Sequence, residues 1–256
     1  MIHDSAIVDA DAKIADGVEI GAYSVIGAGV EIGSGTRVGP HVVIVGLTRI
    51  GCDNQIFQFS SVGEAPQDKK YQGEPTRLVI GNRNVIREYV TLNRGTVEGN
   101  SETLIGNDNL FMAYSHVAHD CIVGDHTIFA NAASLSGHVV VGDHATLGGF
   151  TSVHQFTKIG SRAFCGLGSV ITQDIPPFST AAGNRARVVG INKEGLKRRG
   201  FSPELIRALH KSFRELLKSR LSKESAFENL RPLCDKYPEV DEFVKFIRNS
   251  KRGIAR

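Results

Sequence analysis

Residues 18–38 read VEIGAYSVIGAGVEIGSGTRV. An aliphatic side chain recurs at every sixth position, at Ile20, Ile26, Ile32 and Val38. Two residues before each stands a small or β-branched one: Val18, Ser24, Val30 and Thr36. Positions two apart lie on the same side of a short strand. In Ser24–Val25–Ile26, Ser24 and Ile26 therefore face in and Val25 faces out. Working outward, the repeat reaches back to Val8 and forward through Ile44, Ile50 and Ile56 to Val62. It returns at Ile80, Ile86 and Leu92, slips, and then runs in six-residue steps from Ile105 to Ile171. Glycine often follows the aliphatic, as at Gly21, Gly27 and Gly33, where the chain must turn. Three hexads make one triangular coil, and successive coils pair as parallel strands ~4.8 Å apart. The pattern predicts an all-β solenoid of hexapeptide repeats over residues 1–190, in which residues 18 apart stack on one face.

Two polar stretches break the repeat, 64–78 (EAPQDKKYQGEPTRL) and 98–103 (EGNSET). Loops that interrupt a regular scaffold are common places for function. After Pro176–Pro177 the period changes. Ser202 is expected to cap a helix that has Pro203 at its first position. Leu205, Ile206, Leu209, Phe213, Leu216 and Leu217 follow with helical spacing. Ser222 and Pro238 are expected to open two more helices, so 191–256 reads as a small C-terminal α-helical domain.

The chain has 256 residues, 41% apolar and 22% charged, an ordinary soluble composition. No apolar run approaches the ~20 residues of a membrane span, and the acidic N-terminus lacks a secretory h-region, so a cytoplasmic chain is expected. The cysteines, at 52, 121, 165 and 234, have no CxxC spacing, which argues against a thiolate metal site. Charge is uneven. Residues 1–195 carry 14 Lys/Arg against 19 Asp/Glu, while 196–256 carry 16 against 8. The basic end suits an acidic partner or a phosphorylated ligand, and a solvated helical face is the plain alternative.

Six of the nine histidines fall between 116 and 154: His116, His119, His126, His138, His144 and His154. Three readings compete. Clustered histidines can hold zinc, as in hexapeptide-repeat carbonic anhydrases, but the 18-residue rule pairs His126 with His144 and leaves His119 on another face. General-base catalysis is the second reading. His119, Gly137 and Gln155 are 18 apart in series, which sets an imidazole one coil from a glycine N–H, the base and oxyanion donor that acyl transfer needs. Asp120 stacks with His138 by the same arithmetic and could hold an imidazole's tautomer. No Ser or Cys nucleophile arrangement is evident, which favours direct transfer. In the third reading these are polar turn residues that satisfy one another.

The combination of IFQFSSVGEAPQDKKYQGEPTRLVIGNRNVIRE (56–88), RGTVEG (94–99), HVAHDCIVGDHTIFAN (116–131), SGHVVVGD (136–143), VHQFTKIG (153–160), QDIPPF (173–178), INKEGLKRRGFS (191–202) and KRGIAR (251–256) resembles the bacterial UDP-N-acetylglucosamine acyltransferases of lipid A biosynthesis. The resemblance covers essentially the whole chain. It implies a left-handed parallel β-helix, a hand that periodicity alone does not give, since most parallel crossovers are right-handed. It also implies a homotrimer with sites between neighbouring subunits. The expected reaction moves an (R)-3-hydroxyacyl group from acyl carrier protein to the sugar 3-hydroxyl, with no metal or other cofactor and no nucleic acid partner. By resemblance His119 is the general base, Asp120 its polarising partner and Gly137 the oxyanion donor. Gln67, Asp68 and Lys70 would hold the substrate, and His116, His138, His154 and Gln155 would line the cleft. Asn192, Glu194, Arg198 and Arg199 would bind the nucleotide end. Two positions depart from the family pattern. Asn93 stands where many members have His, and some relatives acylate a 3-amino sugar instead. Leu167 stands at the acyl-chain ruler, where long-chain members have Gly, which implies a medium-length acyl donor. At ~4.8 Å per coil Leu167 would stand roughly 13 Å along the axis from His119.

Overall fold

The computed structural model describes residues 1–256, with every side chain but that of Lys223. Strands, mostly of two residues, succeed one another from Ile7–Val8 to Val170–Ile171, and each third strand joins the same parallel sheet. Three sheets of nine, eight and ten strands result, and they form the faces of a triangular prism. The face that begins at Ile7–Val8 is termed the first, that at Lys13–Ile14 the second and that at Glu19–Ile20 the third. The prism is a left-handed parallel β-helix, as the family resemblance implied.

The six-residue period works through packing. Ile26, Ile44, Val62, Leu92, Val117 and Leu135 stack up the first face, all essentially without solvent contact. The small column fits between them: Ser24, Val30, Thr36, Val42, Thr48, Asn54 and Ser60 are buried too. Each aliphatic contributes about 1.5–3 kcal/mol by burial. The small residues set how closely the walls approach. Several of the polar ones find backbone partners, as where Ser24 Oγ donates to the Gly39 carbonyl at 2.8 Å and Asn84 Nδ2 to the Gly106 carbonyl at 3.0 Å.

Both interruptions leave the prism at the corner between the first and second faces. The first runs from strand Ser61–Glu64 to strand Arg77–Ile80, and the second from Thr91–Asn93 to Glu102–Ile105. The second excursion thus begins at Arg94, and Glu102 and Thr103 already lie in a strand rather than in the loop that their polarity suggested. Thr103 is buried, and its hydroxyl accepts from the Asp120 N–H at 2.8 Å. The solenoid ends in an antiparallel pair, Ser179–Ala182 with Arg187–Ile191. Helices α1 (Lys193–Arg198), α2 (Pro203–Phe213), α3 (Lys223–Lys236) and α4 (Pro238–Asn249) follow, with a π-turn at Arg214–Lys218 after α2. Ser202 and Ser222 cap α2 and α3 as expected. The last residues return to the prism, where Asp174 and Ala255 exchange backbone hydrogen bonds with Gly253 and Asp174.

Candidate active site

The corner between the first and second faces carries His119 and Asp120 on one coil, Gly137 and His138 on the next, and Gln155 and Phe156 above them. The register His116–Ser134–Ser152 fixes this stacking. His119 Nδ1 lies 2.8 Å from Asp120 Oδ2. The carboxylate can only accept, so Nδ1 carries the proton and Nε2 presents a lone pair. Asp120 itself is buried. Its oxygens accept from the Thr96 N–H, the Thr96 hydroxyl at 2.6 Å and the Asn100 N–H at 2.9 Å. Burial pushes this carboxyl up, but the donors from Thr96, His119 and Asn100 outweigh it and hold it below the ordinary carboxylate range. The whole second excursion is folded onto Asp120, and Gly99 passes so close to the carboxylate that no Cβ would fit.

Gly137 lies directly against the imidazole. A Cβ there would stand 2.5 Å from His119 Cε1 and 2.7 Å from Nε2, so only glycine leaves the ring its place. Among the described residues the Gly137 N–H has no protein acceptor. The sequence arithmetic paired Asp120 with His138, but His138 Nε2 stands 3.9 Å from Asp120 Oδ2, and the carboxylate serves His119 instead. His138 meets His119 edge-on at 5.1 Å and stacks on Phe156 at 4.4 Å. Burial lowers the pKa of His138, and that of His116, which also feels His119. His116 Nδ1 is 2.7 Å from the Thr91 hydroxyl. His154 Nδ1 takes a 2.7 Å contact from Arg252 of the returning tail.

Asp68 and Lys70 sit on the first excursion at this same corner, with Gln67 exposed beside them. Lys70 Nζ pairs with Glu98 Oε2 at 2.9 Å, which links the two excursions and raises the Lys70 pKa. Asn93 Nδ2 donates to the carbonyls of Glu64 and Ala65 at 3.2 and 2.8 Å and holds the mouth of the first excursion, while its Oδ1 is buried without a partner. Thr91, Thr96, Glu98, Asn100 and Arg252 escaped the sequence reading. The SGH and HVAHD stacking pointed to the coil they support, but nothing periodic marked them.

The other expected residues do not join this corner. Asn192 caps the short α1, Nδ2 donating to the Arg162 carbonyl at 3.1 Å. Glu194 pairs with Lys197, and Arg199 Nη1 contacts His144 Nδ1 at 2.8 Å. His144 and Arg162 belong to the corner between the second and third faces. Leu167 projects from the remaining corner, 77% exposed, over Gly149. Its axial offset from His119 is therefore no groove length within one chain, because 48 residues is not a whole number of 18-residue coils. The expected pairing of His126 with His144 does form, the rings 4.8 Å apart and nearly parallel.

His119, Asp120 and His138 are the one group of three potential metal ligands among the described residues, their ligand atoms within 4.8 Å of one another. The group fits a metal poorly. Thr96, Asn100 and His119 already use the acceptor positions of Asp120, and His119 Nδ1 is committed to that carboxylate.

A family model described as UDP N-acetylglucosamine O-acyltransferase, domain 2, matches residues 174–255, and a bacterial transferase hexapeptide model matches 1–32, 11–46 and 102–137. The chain is 53% identical over 251 residues to the acyl-[acyl-carrier-protein]–UDP-N-acetylglucosamine O-acyltransferase of Pseudomonas putida (strain W619), covering 98% of this chain and 97% of that one. It is 54% identical to the protein of the same name from Thiobacillus denitrificans, over 100% and 99% of the two chains. Among solved structures, LpxA of Acinetobacter baumannii superposes with a TM-score of 0.97 at 47% identity, over 100% and 99%.

Proposed function

The chain belongs to the UDP-N-acetylglucosamine O-acyltransferase family, and from that premise we propose that it moves an (R)-3-hydroxyacyl group from acyl carrier protein to the 3-hydroxyl of UDP-N-acetylglucosamine, the first step of lipid A biosynthesis. The observation that carries the reading is His119, held by buried Asp120 at 2.8 Å with Nε2 free against the Gly137 backbone. Nε2 takes the proton of the sugar hydroxyl as its oxygen attacks the thioester carbonyl. The carbonyl oxygen gathers negative charge and accepts from the Gly137 N–H. The C–S bond then breaks, and the imidazolium returns its proton to the departing thiolate. Asp120 stays ionised throughout and stabilises the imidazolium. No metal enters this scheme.

Gln67, Asp68, Lys70, His116, His138, His154 and Gln155 lie at or beside this corner of the prism and would serve as substrate contacts. Asn192, Glu194, Arg198 and Arg199 take the nucleotide, the arginines as planar, permanently charged donors for a diphosphate. Leu167 ends the acyl groove. These groups occupy three different corners, which suits the homotrimer that the family resemblance implies, with sites where one subunit's corner faces its neighbour's. The acidic carrier protein has a counterpart in a groove of about 680 Å³ walled by Lys193, Lys197, Arg207, Lys211, Arg214 and Lys218 and floored by Phe201 and Ile206. No helix is long and apolar enough to cross a membrane, and donor and acceptor would both be met in the cytoplasm.

The deciding assay offers purified protein several hydroxyacyl carrier proteins with UDP-N-acetylglucosamine or its 3-amino analogue, with EDTA present throughout. An ester product of the 3-hydroxyl sugar is expected. Preferential amide formation on the amino sugar would assign the enzyme to that acceptor, and turnover that needs added zinc would overturn the metal-free scheme.

A further inference from the structure

The second histidine pair has no part in the chemistry at His119. His144 lies at the corner between the second and third faces, stacked on His126 at 4.8 Å, and its Nδ1 faces Arg199 Nη1 at 2.8 Å. A guanidinium can only donate, so Nδ1 is the acceptor and the ring is neutral. That contact is the one side-chain hydrogen bond Arg199 makes, and it forms no ion pair with a carboxylate among the described residues. A carboxylate would fix the guanidinium but cancel its charge. A neutral imidazole fixes it and leaves the charge for a ligand.

We propose that His144 is a positioning residue that aims Arg199 at an anionic ligand, the diphosphate of the sugar nucleotide, through a neutral acceptor. This rests on the assignment of Arg199 to the nucleotide end. The same contact makes aiming sensitive to acid, since a protonated imidazole loses its acceptor and repels Arg199. Burial favours neutral His144, and so do Arg199, Arg162 and His126, while Asp143 alone opposes them. His126 has Asp108 at 4.0 Å, and the His144 N–H is taken by the Asp125 carbonyl. As pH falls through the pKa of His144, which lies below the ordinary histidine value, affinity for the nucleotide is lost.

The test uses His144→Phe and His144→Gln. Phenylalanine suits the position, because this left-handed corner conformation (φ 59° at His144) already holds Phe59, Phe150 and Phe156. It keeps the stack on His126 and removes the acceptor. Glutamine offers an acceptor that does not protonate. His144→Phe should raise the KM for UDP-N-acetylglucosamine about 3–10-fold, with kcat and the carrier-protein KM within twofold, and His144→Gln should recover most of the loss. In an Arg199→Ala background His144→Phe should add nothing. In the parent the nucleotide KM should climb as pH falls below about 6.5, more steeply than in His144→Gln. If Arg199→Ala raises that KM but His144→Phe leaves it unchanged, or raises it equally in both backgrounds, the positioning role is overturned alone. If Arg199→Ala has no effect on it, the nucleotide assignment falls as well.

Discussion

At the scale of single residues, the proposed acid–base chemistry depends on one imidazole with both nitrogens assigned. Asp120 takes Nδ1–H, so Nε2 has the free lone pair that the proposed base requires. His119→Ala should lower kcat by about 10²–10⁴-fold, the usual yield of general acid–base catalysis. Thermal melting should fall only modestly, because the imidazole is one of several donors to the buried Asp120 carboxylate and packs outside the prism core. A variant with near-parent turnover would remove His119 from the mechanism. The constellation was legible because a solenoid turns sequence distance into spatial distance: His119, Gly137 and Gln155 stack as their 18-residue spacing requires. The partner of Asp120 was not. Stacking gives the coil and corner but not the rotamer, and the carboxylate turns toward its own neighbour in sequence because Thr96 and Asn100 draw it there.

At the scale of elements, the period-six strands and the helices with Ser caps were readable because each is a local pattern with a physical cause. The π-turn at Arg214–Lys218, the six-residue α1 and the return of Arg252–Arg256 to the prism were not, since tertiary contacts alone define them. The second excursion makes a sharp prediction. Thr96→Val removes a hydroxyl donor from a buried carboxylate and should cost about 1–3 kcal/mol at pH 7. The native Asp120 pKa lies below its unfolded value, so its stabilisation is present above about pH 4 and lost as pH falls through the lower native value. Losing the hydroxyl raises the native pKa, and the acid unfolding midpoint of the variant should move to higher pH. An unchanged midpoint would mean that the backbone donors of Thr96 and Asn100 suffice. The helical element makes another. If the basic groove along α2 is where the acidic carrier protein docks, the KM for acyl carrier protein should rise with salt over the range in which the Debye length shrinks below ~10 Å. A salt-independent KM would leave the groove unused.

At the scale of the whole molecule, the corners of the prism decide what a subunit can do alone. Six residues in extended conformation span roughly 20 Å, so His119, Arg199 and Leu167 are kept far apart by a packed core that no ligand enters. Leu167 stands almost free on its own chain, and it can bound an acyl chain only where a neighbouring subunit brings His119 against it. Leu167→Gly should then shift donor preference toward longer acyl chains without lowering turnover of the preferred medium-length donor, and an unchanged donor ranking would remove it as the ruler. The same geometry predicts complementation. On the proposed reading, chains with His119→Ala would lack the base and chains with Arg198→Ala/Arg199→Ala would lack the nucleotide contacts, so each proposed homotrimer should be nearly inactive at low nucleotide concentration. When the two are unfolded together and reassembled, a site built from two subunits is intact wherever the base comes from one chain type and the arginines from the other. Random assembly in a cyclic trimer makes that about a quarter of sites. Recovery of about a quarter of parent activity on mixed reassembly, with none on mixing preformed trimers, is the expected outcome. Activity that stays at the level of the separate variants would mean that each site is completed within one chain, against the separation of the three corners.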